Sequence, residues 1–132
     1  MMQWLGYLAL VLIVFNGSFY VLFRIVRKSK NRKRQIRYAK IAKVLMRVHR
    51  QTAVVAAVFA AGHSSLAFYR YGVNAESLTQ LSGVLAMLAL IVLLSTGWIR
   101  NQKATGRRKR SHRYAAFGAL LVIILHSLIS LY

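Results

Sequence analysis

Four apolar blocks, each long enough to cross a lipid bilayer, constrain this chain more than any other feature. They run over residues 4–23, 52–69, 78–99 and 114–132. A helix needs roughly 20 predominantly apolar residues to cross a hydrocarbon core of about 30 Å. The chain contains no proline, so each block can close its own backbone hydrogen bonds as a continuous helix, as lipid requires. With 58% hydrophobic residues in 132, a single domain over 1–132 is expected, all-α, folded as an integral membrane four-helix bundle.

The charges lie between the blocks. Twelve Lys and Arg separate the first from the second, from Arg24 to Arg50, and seven separate the third from the fourth, from Arg100 to Arg113. The opposite side holds only Arg70 and the single acidic residue, Glu76. Basic loops stay on the cytoplasmic side of a membrane, which predicts both termini extracytoplasmic in a multi-pass protein of the cytoplasmic membrane. No basic stretch precedes Trp4 and no small-residue cleavage site follows, so the first span is expected to be a retained helix and not a cleaved signal. Ile36, Ile41, Val44, Leu45 and Val48 recur at helical spacing among basic residues, so the second helix is expected to begin before the membrane as a basic amphipathic stretch. Asn74 and Glu76 are expected to cap the third. No aromatic-interleaved basic platform marks a nucleic-acid interface. The partners expected of the basic face are anionic lipids and an acidic redox protein or larger membrane complex. Cysteine is absent, which excludes disulfides, thiolate metal sites and covalent haem attachment.

The second and fourth blocks carry a repeat: His-Arg, twelve residues, His-Ser, four residues, Tyr. In one it is His49, Arg50, His63, Ser64 and Tyr69; in the other His112, Arg113, His126, Ser127 and Tyr132. These are the only histidines in the chain. Fourteen residues are two heptads, which return both histidines of a helix to one face of a bundle. They also place the two layers about 21 Å apart along the helix. The second and fourth helices run parallel, so His49 shares a layer with His112, near the basic side, and His63 shares one with His126.

Two imidazoles per layer cannot complete a tetrahedral zinc site, and no Cys, Asp or Glu lies at hand to help. They match the two axial positions of a haem iron, whose other four ligands come from the porphyrin. The four histidines are therefore expected to ligate two non-covalent haems. Gly83 and Gly97 of the third block are also fourteen apart and are expected to clear space for the macrocycles. Gly17, and with it Gly6, is a weaker candidate for the same role. Arg50 and Arg113 follow the inner ligands, with Arg47 and Arg110 one turn away, and are candidate partners for haem carboxylates.

Paired histidines fourteen apart on the second and fourth helices, with glycines fourteen apart on an intervening one, resemble the haem-bearing four-helix core of the cytochrome b family. The transmembrane ferric reductases and NADPH oxidases have a similar two-haem arrangement. The resemblance implies that His49 and His112 ligate one haem b, and His63 and His126 the other. The later helices of cytochrome b have no counterpart in these 132 residues, nor do the flavin and nucleotide domains of the oxidases, since no Gly-rich nucleotide fingerprint occurs. The expected function is electron transfer across the membrane as part of a larger redox system, with a quinone as a possible exchange partner. Two other readings are a non-redox anchoring subunit with a basic docking face, and a reductase of oxygen, superoxide or ferric iron at the outer haem.

The charge distribution makes a direct prediction. Cysteines introduced as Asn74→Cys and Thr105→Cys should react with an impermeant reagent from opposite sides of intact cells, with position 74 outside. Labelling of position 105 from outside would invert the topology.

Overall fold

The computed structural model describes residues 2–28 and 30–131. Among them it forms four helices and no strand: α1 Met2–Lys28, α2 Arg32–Tyr71, α3 Leu78–Gln102 and α4 Gly106–Ile129. All four are long and apolar enough to cross a membrane. Tyr132, the last member of the repeat, lies outside the described residues.

Local chemistry sets the ends of the helices. Three begin on a side chain that accepts free backbone N–H groups. Asn31 accepts from Lys33 and Arg34 ahead of α2, Ser77 from Gln80 ahead of α3, and Thr105 from Arg108 ahead of α4. The expectation that Asn74 and Glu76 would cap α3 is corrected here. Asn74 instead closes a local turn, accepting from the Glu76 N–H at 3.0 Å, and the hydroxyl three residues later takes the cap. Helix α2 stops at Gly72, whose φ of 68° is a conformation that side chains with a Cβ disfavour. Helix α4 ends at Ile129 with Ser130 as its C-cap, short of the expected end at 132.

Helix α2 has 40 residues and is about 60 Å long at 1.5 Å per residue, roughly twice the hydrocarbon thickness. Its first half carries the basic amphipathic stretch. One continuous helix therefore joins the charged end of the molecule to the apolar bundle.

The helices pair as two antiparallel hairpins. Helix α1 packs along α2 and α3 along α4, whereas α1–α4 and α2–α3 approach at few points. Among the described residues no Cα of α2 comes within 8 Å of one of α4. These two lie diagonally across the bundle, and they are the helices that carry the histidines.

Between the histidine layers sits one apolar layer made of Ile13, Ala56, Ala86, Leu90, Ala119 and Ile123. Its register follows the heptad. Ala56 is seven residues from both His49 and His63, Ala119 seven from both His112 and His126, and Leu90 seven from both Gly83 and Gly97. The two alanines are 1% and 2% exposed and leave room for Ile13, Leu90 and Ile123 to fill the layer. Their sequence neighbours Val58 and Leu121 are 63% and 60% exposed and face outward, as lipid-contacting residues do.

A larger side chain at the centre of this layer has nowhere to go. Ala56→Leu should cost about 1–3 kcal/mol, the usual cost of overpacking. Val58→Leu, on the outward face, should change stability by no more than about 0.5 kcal/mol. Unfolding of the detergent-solubilised protein followed by circular dichroism distinguishes the two. Equal effects would show that Ala56 is not at a packed centre.

Candidate functional site: two imidazole layers

The four histidines meet as two pairs. His49 and His112 have ring centroids 6.5 Å apart, with planes inclined at 85°. His63 and His126 are 6.4 Å apart, inclined at 63°. Each pair bridges the diagonal between α2 and α4, where the backbones stay apart. All four rings are half-buried.

The hydrogen bonds of three rings assign their protons. The Ser82 hydroxyl lies 3.0 Å from both Thr79 O and His126 Nδ1; with its one hydrogen directed to Thr79 O it accepts from Nδ1–H. The Thr96 hydroxyl donates to Leu93 O at 2.9 Å and in the same way accepts from His112 Nδ1 at 3.2 Å. The Met2 carbonyl accepts from His63 Nδ1 at 3.0 Å. A neutral imidazole with its proton on Nδ1 presents a lone pair at Nε2. Among the described residues no hydrogen bond engages any of the four Nε2 atoms.

His49 is the exception. Its Nδ1 is buried and has no partner. The aromatic ring beside it is Phe19, at 5.5 Å between centroids, which offers no oxygen or nitrogen. One turn along, Thr52 donates its hydroxyl hydrogen to Asn16 Oδ1 at 2.8 Å, tying α1 to α2 below this layer.

Glycines lie against three of the rings. A Cβ on Gly83 would sit 3.2 Å from His126 Cε1, one on Gly97 3.2 Å from His112 Cε1, and one on Gly6 3.1 Å from His63 Cε1 and Nδ1. Gly17 takes a different place. Eleven residues after Gly6 it is exposed, and a Cβ there would meet only Leu120 of α4, at 3.9 Å. The α1 residue that reaches an imidazole in the basic-side layer is Phe19.

Arg47, Arg50 and Arg113 are exposed at the basic end, and the structure brings none of them into a hydrogen bond among the described residues. Among the described side chains the half-buried cations there are Arg100 on α3 and Arg108 on α4; Arg108 is bonded to Ile99 O and Lys103 O, and the charge of Arg100 acts on both His49 and His112. At the other layer Ser127 bonds back to Ile123 O at 2.9 Å, and Arg70 lies over the Tyr71 ring at 5.7 Å. Neither adds a ligand.

Ser82, Thr96 and Arg100 are the residues at the two layers to which the sequence alone assigned no role; Gly6, a weaker candidate there, does reach an imidazole. A signal for the hydroxyls was present: Ser82-Gly83 and Thr96-Gly97 form a hydroxyl-glycine pair repeated at the same fourteen-residue interval.

The arrangement can offer a metal two nitrogen donors per layer. Among the described residues no group of three or more His, Cys, Asp or Glu gathers anywhere, so a metal held here must bring its remaining ligands with it. Metal–imidazole bonds of about 2.0 Å on opposite sides of one ion put the ring centroids about 6 Å apart, close to both separations found here. No family model, curated protein or solved structure matches the chain.

The proton assignment can be tested without any ligand. Nitrogen NMR of histidine-labelled protein should show His126 with its proton on Nδ1, and Ser82→Ala should release that preference at His126 alone. A proton on Nε2 of His126 in the unsubstituted protein would overturn the assignment.

Proposed function

We propose that this protein is a b-type cytochrome of the cytoplasmic membrane, holding two haems and carrying electrons across the bilayer. The observation that carries this reading is the pair of imidazole layers, each with two donors at trans-ligand separation and no further protein ligand. His49 and His112 would hold one haem and His63 and His126 the other. Haem bound there supplies a reversible one-electron ferric/ferrous couple, and the protein sets its position and surroundings.

The other residues fit that role. Thr96, Ser82 and the Met2 carbonyl fix three ring tautomers and orientations, as the outer partners of metal-binding histidines do. Gly83, Gly97 and Gly6 bring backbone where a side chain would press on a ligand. Ile13, Ala56, Leu90, Ala119 and Ile123 form a dry layer between the two sites, which blocks water and protons. The fourteen-residue rise sets the sites about 21 Å apart along the helix.

The basic ends of the helices face the cytoplasm in this reading, and both termini face outward. Arg100 is the cation best placed to meet a haem carboxylate at the inner layer. Arg47, Arg50 and Arg113 are exposed at that end and suit anionic lipid headgroups and an acidic redox partner. The chain would work with such a partner or within a larger complex, with a quinone as a further electron carrier.

Purified protein should carry about two haems per chain with a low-spin bis-imidazole spectrum, and His112→Ala should leave one. In vesicles, an impermeant reductant on one side should reduce an impermeant acceptor on the other. His63→Ala should stop that crossing while the inner haem remains reducible. A colourless protein that takes up no haem would refute the cytochrome reading in favour of an anchoring role, and unaltered crossing in His63→Ala would refute the relay.

A further inference from the structure

The four imidazoles are not equally held. His63, His112 and His126 each donate Nδ1–H to an oxygen at 3.0 to 3.2 Å. That bond fixes the plane of the ring and makes its Nε2 a stronger donor. His49 has no such bond. Its Nδ1 is buried without a partner, a condition that costs free energy and that most buried polar groups avoid. Phe19 occupies the neighbouring position, and Thr52, one turn along the helix, donates to Asn16 and makes no bond to the His49 ring. Of the two layers, the outer has both rings anchored and the inner has one anchored and one loose.

We propose that His49 is an exchangeable ligand, so that the inner site opens to a small uncharged haem ligand such as carbon monoxide while the outer site stays closed. This rests on the two-haem reading and assigns it a binding function. With haem bound, His49 would give up its Nε2–iron bond and the incoming ligand would take its place with a lone pair of its own. One bond breaks and one forms, the iron keeps its oxidation state, and the imidazole leaves neutral with its Nδ1 proton. His112 stays in place, held by Thr96. Loss of an outer-shell partner weakens metal binding by about 10–100-fold, and the inner site carries that handicap on one side only.

The test is a carbon monoxide titration of haem-loaded, dithionite-reduced protein, followed by absorbance. One of the two haems should bind carbon monoxide about 10–100-fold more tightly than the other. The double variant His63→Ala/His126→Ala, which lacks the outer pair, should keep the tight phase. Ser82→Ala, which frees Nδ1 of His126, should create a second tight phase, and Ser82→Thr, which keeps the hydroxyl, should not. The Ser82 variants decide the matter even if the double variant fails to fold. Equal affinities at both haems, tight binding only at the outer haem, or no effect of Ser82→Ala would each overturn the proposal while leaving the cytochrome reading intact. Failure to take up haem would overturn that reading instead.

Discussion

An imidazole inside an apolar bundle has two ring nitrogens and no water to satisfy them, and the rest of this structure is arranged around that difficulty. Leaving such a group unbonded costs about 1–3 kcal/mol. Three of the four rings resolve one nitrogen locally, on a hydroxyl of α3 or a carbonyl of α1. To do so, α3 must run beside α4, and the start of α1 must lie against the C-terminal half of α2. The hairpin pairing is what those contacts require. No described residue bonds Nε2 of any of the four rings, and that is the nitrogen a metal would use.

The rings occupy a bundle that is open across both diagonals and tight along its hairpins. Helices α2 and α4 are held apart while α1 and α3 close in on the imidazoles through glycine. Midway between the layers the spacing is kept by Ala56 and Ala119 with Leu90 and Ile13 between them. Layers of polar and apolar character thus alternate every seven residues on three helices at once. A seven-residue return is what packed, gently supercoiled helices provide.

Much of this was legible in the chain itself. The apolar blocks located all four helices, and the fourteen-residue return located both histidine layers, because the helix period converts sequence interval directly into face and height. The amphipathic pattern after Ile36 anticipated the long extension of α2. Less legible were features that depend on which neighbour arrives in space. Gly17 was expected on one face with Gly6, yet it is exposed and meets Leu120, because the path of α1 past α4 decides the contact. The cap of α3 moved from Asn74 to Ser77, since either side chain can accept backbone N–H groups and the loop geometry chooses between them. The missing partner of His49 could not be read at all. It is a property of the space beside Phe19, and no spacing records it.

The segregation of charge has a consequence for how the protein can exist in a membrane. Nineteen of the 20 Lys and Arg lie at one end of the bundle, and at the other end Arg70 is offset by Glu76. Turning the molecule over would drag every one of those nineteen cations through hydrocarbon, at about 2.5–3.5 kcal/mol each on insertion scales. The sum is several times the stability of an ordinary domain. The direction in which the chain threads the bilayer is therefore settled once, during insertion, and is permanent thereafter.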